Sequence, residues 1–244
     1  MTSPFPRAWR RAGEILRWRG PGHFFLLVLR EVLRPLMYWY AWNIYLTDLE
    51  EPLTRPYAKG KFDVRVFAGE NDREIAREQL ASLGEPLPTN FAQRMNRGDA
   101  LAVVYCGAEP VAFGWMTFSS GMELAYGTTW ILHPNEGTQY GSFVVPKWRG
   151  HGIFSVLNVA LNTYAREHGV LRSIGSISVL NNQSLSMAKR LGKRKVMTVI
   201  LVHVRGIGWT FRKAFGAPVH TRFAGKGVDL GHAATARLGL GDKV

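Results

Sequence analysis

From residue 62 onward the chain alternates short apolar runs with amphipathic stretches. Phe62 to Phe67 (FDVRVF) switches between apolar and polar with period two, which predicts a strand. Residues 71–84 place Ile75, Leu80 and Leu83 at helical spacing and end on Gly84, a stop signal. Two β-rich runs follow, joined at Gly107-Ala108-Glu109-Pro110 as a hairpin. Further strands are predicted around 124–132 and over 138–146. A helix then carries Ile153, Leu157, Ala160, Leu161 and Tyr164 on one face and stops at Gly169. A strand at 173–179, a short helix at 182–191 and a strand at 195–204 complete the series. The order predicts a mixed α/β layer architecture over residues 61–205.

The two ends read differently. Phe24 to Leu29 is an apolar run of six residues, closed by Arg30, Glu31, Arg34 and Pro35, and a bilayer span needs about 20. The sequence continues into Tyr38, Trp39, Tyr40 and Trp42 rather than a small-residue cleavage site, which argues against a signal peptide. Residues 1–60 therefore read as a basic, aromatic-rich helical extension, broken at Gly20-Pro21-Gly22 and bent or ended at Pro35. Trp9, Trp18, Phe24, Phe25, Trp39 and Trp42 among arginines have the composition of an anchor lying in a membrane interface. The same rings would equally serve as core against the body or a partner. In residues 206–244, Ile207, Phe211 and Phe215 sit at helical spacing beside Trp209, Arg212 and Lys213. Beyond Gly225 large apolar residues are few, so this basic segment is expected to be partly disordered.

Charge sharpens that division. The 244 residues carry a net charge of +13. Residues 1–34 hold seven basic against two acidic residues and residues 189–244 twelve against two, while 35–188 hold twelve against fourteen. A nucleic-acid binder carries its excess on the folded body, so this distribution speaks against nucleic acid and for an anionic surface met by the ends. The single cysteine, Cys106, excludes an internal disulfide and a cysteine zinc site, and His133, His151 and His203 lack metal-ligand spacing. The expected compartment is the cytoplasm, with peripheral attachment at the inner face of the membrane.

The chemistry is concentrated in Val144-Val145-Pro146-Lys147-Trp148-Arg149-Gly150-His151-Gly152-Ile153, a glycine-containing turn between a strand and a helix. Such a turn presents backbone N–H groups at the positive end of a helix dipole, where a diphosphate can bind. Neither the dinucleotide fingerprint nor a P-loop is present. The stretch resembles motif A of the GCN5-related N-acetyltransferase (GNAT) superfamily, Gln/Arg-x-x-Gly-x-Gly/Ala after a V-x-P strand end, with Phe154 departing at the last small position. Asn181-Asn182-Gln183-Ser184, followed by a helix ending Leu191-Gly192, resembles the family's second cofactor segment. The resemblance covers about residues 62–204. It implies a mixed, mostly antiparallel central sheet flanked by helices, with an N-terminal helical extension outside it.

The resemblance further implies acetyl-CoA as donor substrate, an amine acceptor and no metal. The backbone of Arg149, Gly150, His151, Gly152 and Ile153 would cradle the pyrophosphate. Phe143, Val144 and Val145 would line the pantetheine arm as a pseudo-strand partner, and Asn181 and Ser184 would meet its acyl end. The tyrosine that many relatives use as the acid for the leaving thiolate is replaced by Ala188, and a frequent strand glutamate by Thr138. Strand alternation puts Glu136, Thr138, Tyr140 and Ser142 on one face, which makes Glu136 and Tyr140 candidate bases, with Glu123 on the preceding strand a third. An amino sugar or sugar-linked envelope intermediate, a small amine or amino acid, and a protein amine all fit as acceptors. Two alternatives stand beside N-acetyl transfer: an acyl synthase that takes its donor from an acyl-carrier protein, and a degenerate domain used as a binding module.

Overall fold

The computed structural model describes residues 21–22, 24–25, 28–29, 32–33, 36–84, 87–119, 123–125, 128–204, 207–214, 222–224 and 228–229. The described residues between 21 and 33 are helical. In chain order there follow β1 (Met37–Asp48), β2 (Asp63–Ala68), α1 (Arg73–Ser82), α2 (Phe91–Asn96), β3 (Ala100–Cys106), β4 (Glu109–Thr117), β5 (Glu123–Ala125), β6 (Thr128–Ile131) and β7 (Glu136–Val144). After a 3₁₀ turn at Pro146–Trp148 come α3 (Ile153–Glu167), β8 (Arg172–Ser178), α4 (Asn182–Arg190), β9 (Arg194–Val204), β10 (Ile207–Ala214), β11 (Arg222–Ala224) and β12 (Val228–Asp229).

Nine strands form one sheet in the order β12-β10-β9-β1-β8-β7-β4-β3-β2, and β11-β6-β5 form a second, three-stranded one. Pairing in the large sheet is antiparallel except for β7 with β8 and β10 with β12. The architecture is the mixed, mostly antiparallel sheet flanked by helices that the sequence predicts.

Period-two patterning sets which helices cover which face. Ala100, Ala102 and Val104 of β3 pack with Ile153, Leu157 and Leu161 of α3, whereas Leu101, Val103 and Tyr105 pack with Ala76 and Leu80 of α1 and Phe91 and Met95 of α2. Both faces of β3 are therefore dry, and Ala100 to Val104 are fully buried. The glycine signals act as read: Gly107 takes φ +62 in the β3–β4 hairpin, and Gly169 takes φ +80 just past α3.

The ends depart from the expectation. Residues 37–48, read as part of a helical extension, are β1, which lies in the middle of the sheet between β8 and β9. Ile44 and Leu46 of β1 form a core with Ile174, Val196 and Val199, and Trp42 packs against it. The physical reason is lateral pairing on both edges, which satisfies a long aromatic and β-branched run better than a helix does. Trp39 and Trp42 are thus half-buried strand residues rather than free anchors. The boundary at residue 205 moves as well, because Ile207–Ala214 continues the sheet as β10 against β9 and is not a helix. Trp9, Trp18 and Phe215 lie outside the described residues. Among the described residues, no helix is long and apolar enough to cross a membrane.

Candidate functional site

The parallel pair β7–β8 stays in register only from Glu136 opposite Arg172 to Gln139 opposite Gly175. Beyond that point β7 pairs only with β4 and β8 only with β1, so the two strands splay apart. A cavity of about 660 Å³ opens in the gap and runs through the sheet. On one face its wall is Arg94 and Arg97 with Trp115, Tyr140 and Trp42. On the other it is Phe154, Leu157 and Asn158 of α3, Asn181, Ser184 and Ala188 of α4, and Tyr45 and Lys193.

A bulge in β7 sets the geometry of the mouth. Trp115 stands opposite Tyr140 and Phe113 opposite Phe143, so Gly141 and Ser142 together face the single residue Gly114. Gly141 takes φ +54 to make the turn. The rings of Tyr140 and Phe143 consequently lie on the same face, against Trp115 and Phe113 respectively. Ser142 points to the opposite face, near Gly114 and Leu157. The expected alternation of Glu136, Thr138, Tyr140 and Ser142 on one face breaks at this bulge.

The three candidate bases fare differently. Glu136 is 1% exposed at the closed end of the parallel pair, where it accepts the His133 N–H at 3.1 Å, and it does not line the cavity. Glu123 belongs to β5 in the separate small sheet. Glu136 is not placed to meet a substrate in the cleft. Tyr140 is at the cleft, but its hydroxyl donates to Asp99. Burial first, and then the adjacent Asp99 carboxylate, push the phenol well above its usual range, which makes it a poor base. Thr138 donates to the Ile174 carbonyl at 3.0 Å and is buried.

Arg94 and Arg97 line the cavity with Asp99 behind them, and no sequence pattern marked any of the three. Asp99 is fully buried and receives Arg97 through Nε at 2.9 Å and a terminal nitrogen at 2.5 Å, a bidentate pair. Arg94 lies over the rings of Tyr140 and Trp115, at 4.9 and 5.3 Å from their centroids, and its Nε donates to Asn90 at 2.8 Å.

Residues expected to hold the cofactor divide between the cavity and the fold. Asn181 and Ser184 line the cavity, and the Asn181 side chain caps α4 by accepting the Ser184 N–H at 3.2 Å. The Phe143 ring packs on Phe113, while Val144 joins the core beneath α3. The Val145 N–H is spent on the Val111 carbonyl at 2.9 Å. Gly150 and Gly152 take φ +85 and +79, as the turn requires, and Ile153 is a core residue 1% exposed. Arg149 is exposed, its Nε donating to the Val144 carbonyl at 3.2 Å, and the His151 ring packs edge-on against Trp148.

One feature of the loop differs from an open phosphate cradle. The link between β1 and β2 crosses it: Lys59 N–H donates to the His151 carbonyl at 2.8 Å and Tyr57 N–H to Ser155 Oγ at 3.1 Å. A Cβ on Gly152 would meet Ala58 Cα and Tyr57 O at 2.9 Å. The same strap reaches α4, where the Tyr57 hydroxyl contacts Met187 and Arg190 lies over the Tyr57 ring. The glycine at 152 is therefore required by the chain's own strap, and nothing about a ligand follows from it alone.

Ala188 leaves the α3–α4 wall without the expected tyrosine, and Lys193, whose N–H donates to the Ala188 carbonyl at 2.9 Å, stands beside it. Its side chain is half-buried by accessible area yet closely enclosed, and desolvation pushes the amine down to about 8. Among the described residues, no Asp or Glu lines the cavity.

No family model matches this sequence, and no curated protein matches it. Solved structures do resemble it. A tandem GNAT protein from the clavulanic acid biosynthesis pathway is 14% identical over 77% of this chain and 71% of its own, with a TM-score of 0.49. A GCN5-related N-acetyltransferase from Kribbella flavida is 14% identical over 72% of this chain and 62% of its own, at 0.48. An aminoglycoside N-acetyltransferase in complex with a bisubstrate analogue is 16% identical over 55% and 90%, at 0.42. The chain spans less than two thirds of the Kribbella protein. Its own topology, with a splayed parallel pair followed by a glycine turn into α3 and an Asn-capped α4, is the fold of the GCN5-related N-acetyltransferase superfamily.

Proposed function

We propose that the protein is an acyl-CoA-dependent N-acyltransferase, with acetyl-CoA the simplest donor. The observation that carries this reading is the splay after Gln139 and Gly175, which opens a cavity through the sheet. A pantetheine arm can pair with the edge of β7 that β8 abandons, and an acceptor can approach from the Tyr140 side. The acceptor nitrogen attacks the thioester carbon, the C–S bond breaks, the nitrogen gives up a proton to water in the cleft, and the departing thiolate takes one up. On the donor-side wall Lys193 replaces the missing tyrosine as the group that gives it. An ammonium near 8 is matched to a thiol near 8.5. For the diphosphate end to reach the N-terminus of α3, the strap at Tyr57–Lys59 has to give way.

The finer reading places this chemistry at an anionic membrane surface on the cytoplasmic side. Phe25, Val28, Leu29 and Val32 form an exposed apolar stripe at helical spacing, 65%, 42%, 39% and 68% accessible, within a segment rich in arginine. Calorimetry of the full chain with acetyl-CoA, followed by thiol release over a panel of amines, tests the enzymatic reading. Micromolar binding with acceptor-dependent thiol release is expected. Absence of acyl-CoA binding overturns it in favour of a binding module that keeps the fold without the reaction.

A further inference from the structure

We infer that the acceptor carries an anionic group, a carboxylate or a phosphate, which Arg94 receives at the mouth of the cleft; this deepens the N-acyltransferase reading and rests on it. The acceptor-side wall is cationic and aromatic. Its one nearby carboxylate, Asp99, is fully buried and already engaged by Arg97 and by the Tyr140 hydroxyl. That cluster of Arg94, Arg97 and Asp99 leaves one positive charge over. It sits on Arg94, which among the described residues has no carboxylate partner. Arg94 is also the better-placed cation. Its guanidinium carbon lies over the rings of Tyr140 and Trp115, Asn90 accepts from its Nε, and a terminal nitrogen lies 3.4 Å from where a Cβ on Gly141 would stand, at the bulge that opens the splay.

A guanidinium over aromatic rings that lines a cavity, with its Nε already bonded to Asn90 and one terminal nitrogen at the Gly141 bulge, can receive a planar carboxylate or a phosphate through its terminal nitrogens. The cavity wall supplies no acidic residue to attract a polycationic amine. Lys193, across the splay, adds a second positive charge below pH 8. An amine that brings its own negative charge offsets this field, and anchoring it through Arg94 leaves the amino end free to turn toward the thioester.

The test uses matched pairs of acceptors that differ only in the anion: glycine against glycinamide for a carboxylate, and glucosamine 6-phosphate against glucosamine for a phosphate, with spermidine as the cationic arm. Thiol release from acetyl-CoA is measured for the full chain, for Arg94→Met, which keeps an apolar stem on the rings, and for Arg94→Lys. The expected result is at least tenfold higher kcat/KM for the anionic member of one pair, and the pair that shows it identifies the anion. In Arg94→Met the ratio of kcat/KM between the anionic and the neutral member falls to about one, the anionic member losing through KM, and Arg94→Lys restores part of that ratio. Equal rates within both pairs, a preference for spermidine, or an equal loss for every acceptor in Arg94→Met overturns the inference. Failure of the N-acyltransferase reading is told apart by the absence of acetyl-CoA binding. Even then, calorimetry with glucosamine 6-phosphate and glycine alone reads the anion site: binding that Arg94→Met abolishes sustains it, and no binding overturns it.

Discussion

The two halves of the sheet that meet at the splay are built by opposite rules. β2, β3, β4 and β7 pair with one another in chain order, and the buried residues of their core come from positions 67 to 170, with Leu49 the one addition from upstream. β8, β9 and β10 cannot close without β1, which comes from far upstream and pairs with β8 along one edge and β9 along the other. Local pairing carries a small loop-closure entropy, while a distant strand inserted at the centre carries a larger one and is expected to dock late. The chemistry divides along the same line. Arg94, Trp115 and Tyr140 of the acceptor wall belong to the local half, and Lys193 with the α4 residues belongs to the half that depends on β1.

The largest expected effect follows directly. A fragment of residues 61–205, which the sequence reading treats as the complete catalytic domain, lacks the strand between β8 and β9. It should give no cooperative thermal transition and poorly dispersed amide resonances, whereas the full chain gives both. A cooperative, dispersed fragment would show that β1 is dispensable and the two halves are equally self-sufficient.

A smaller version of that comparison uses single side chains. Ile44 in β1 and Leu101 in β3 are both fully buried. Each changed to alanine should lose about 2–5 kcal/mol in urea unfolding. The kinetics should differ: Leu101→Ala should slow refolding, while Ile44→Ala should mainly speed unfolding, because its contacts form after the transition state. Refolding slowed equally by both would erase the distinction.

What was legible in the sequence follows the same divide. The strands and helices from β2 to α4 announce themselves by period, hairpin turn and glycine stop, since each is one-faced or bounded by local signals. β1 does not, because Tyr38-Trp39-Tyr40-Ala41-Trp42 has no polar alternation, and the pairing along both edges that makes the strand central begins only at Trp42. Its aromatic and β-branched content was the available signal. At the site, Asn181 and Ser184 were legible because a local motif places them. Arg94, Arg97, Asp99 and Lys193 were not, because only tertiary packing brings α2, β3, β7 and the start of β9 around one cavity. The bulge at Gly141 moved Ser142 off the expected face, and Glu136 was misjudged because position along a strand does not reveal which end of the splay it occupies.

The proton donor tests the dependent half next. If Lys193 protonates the thiolate, its charged form is the active one. That form dominates below about 8 and is lost as pH rises through that value, so turnover should fall above about pH 8. Tyr45 and Tyr140, the other titrating groups on the cavity walls, are both pushed above the ordinary tyrosine value and do not account for a limb there. Lys193→Met should lower turnover about 10²-fold and abolish the alkaline limb, with acetyl-CoA affinity unchanged. Tyr45→Phe should retain the limb. An unchanged profile in Lys193→Met removes the lysine from the mechanism.

The smallest effect concerns the strap that joins the two halves. Residues 54–59 run from α4 to the N-terminus of α3, fastened at Thr54 to the Leu191 carbonyl, at Tyr57 to Ser155, Met187 and Arg190, and at Lys59 to His151. Under the proposed function, the diphosphate end of the donor would need the ground between α3 and α4 that these contacts occupy, so strap and donor would compete. Tyr57→Ala deletes the ring contact with Arg190 and the hydroxyl contact with Met187 but keeps the backbone bond to Ser155. An exposed cation–π contact is worth about 0.5–1 kcal/mol, so freeing the strap should tighten acetyl-CoA binding about two- to fivefold while lowering the melting temperature slightly. Gly150→Ala makes a contrast, because a Cβ there meets nothing within 4 Å while one at Gly152 would strike the strap. Changing Gly152 therefore disturbs the strap directly, whereas a change at Gly150 leaves the strap alone and strains only the turn's own backbone at φ +85. Weaker acetyl-CoA binding in Tyr57→Ala would mean that the strap is a wall of the donor site and not its competitor.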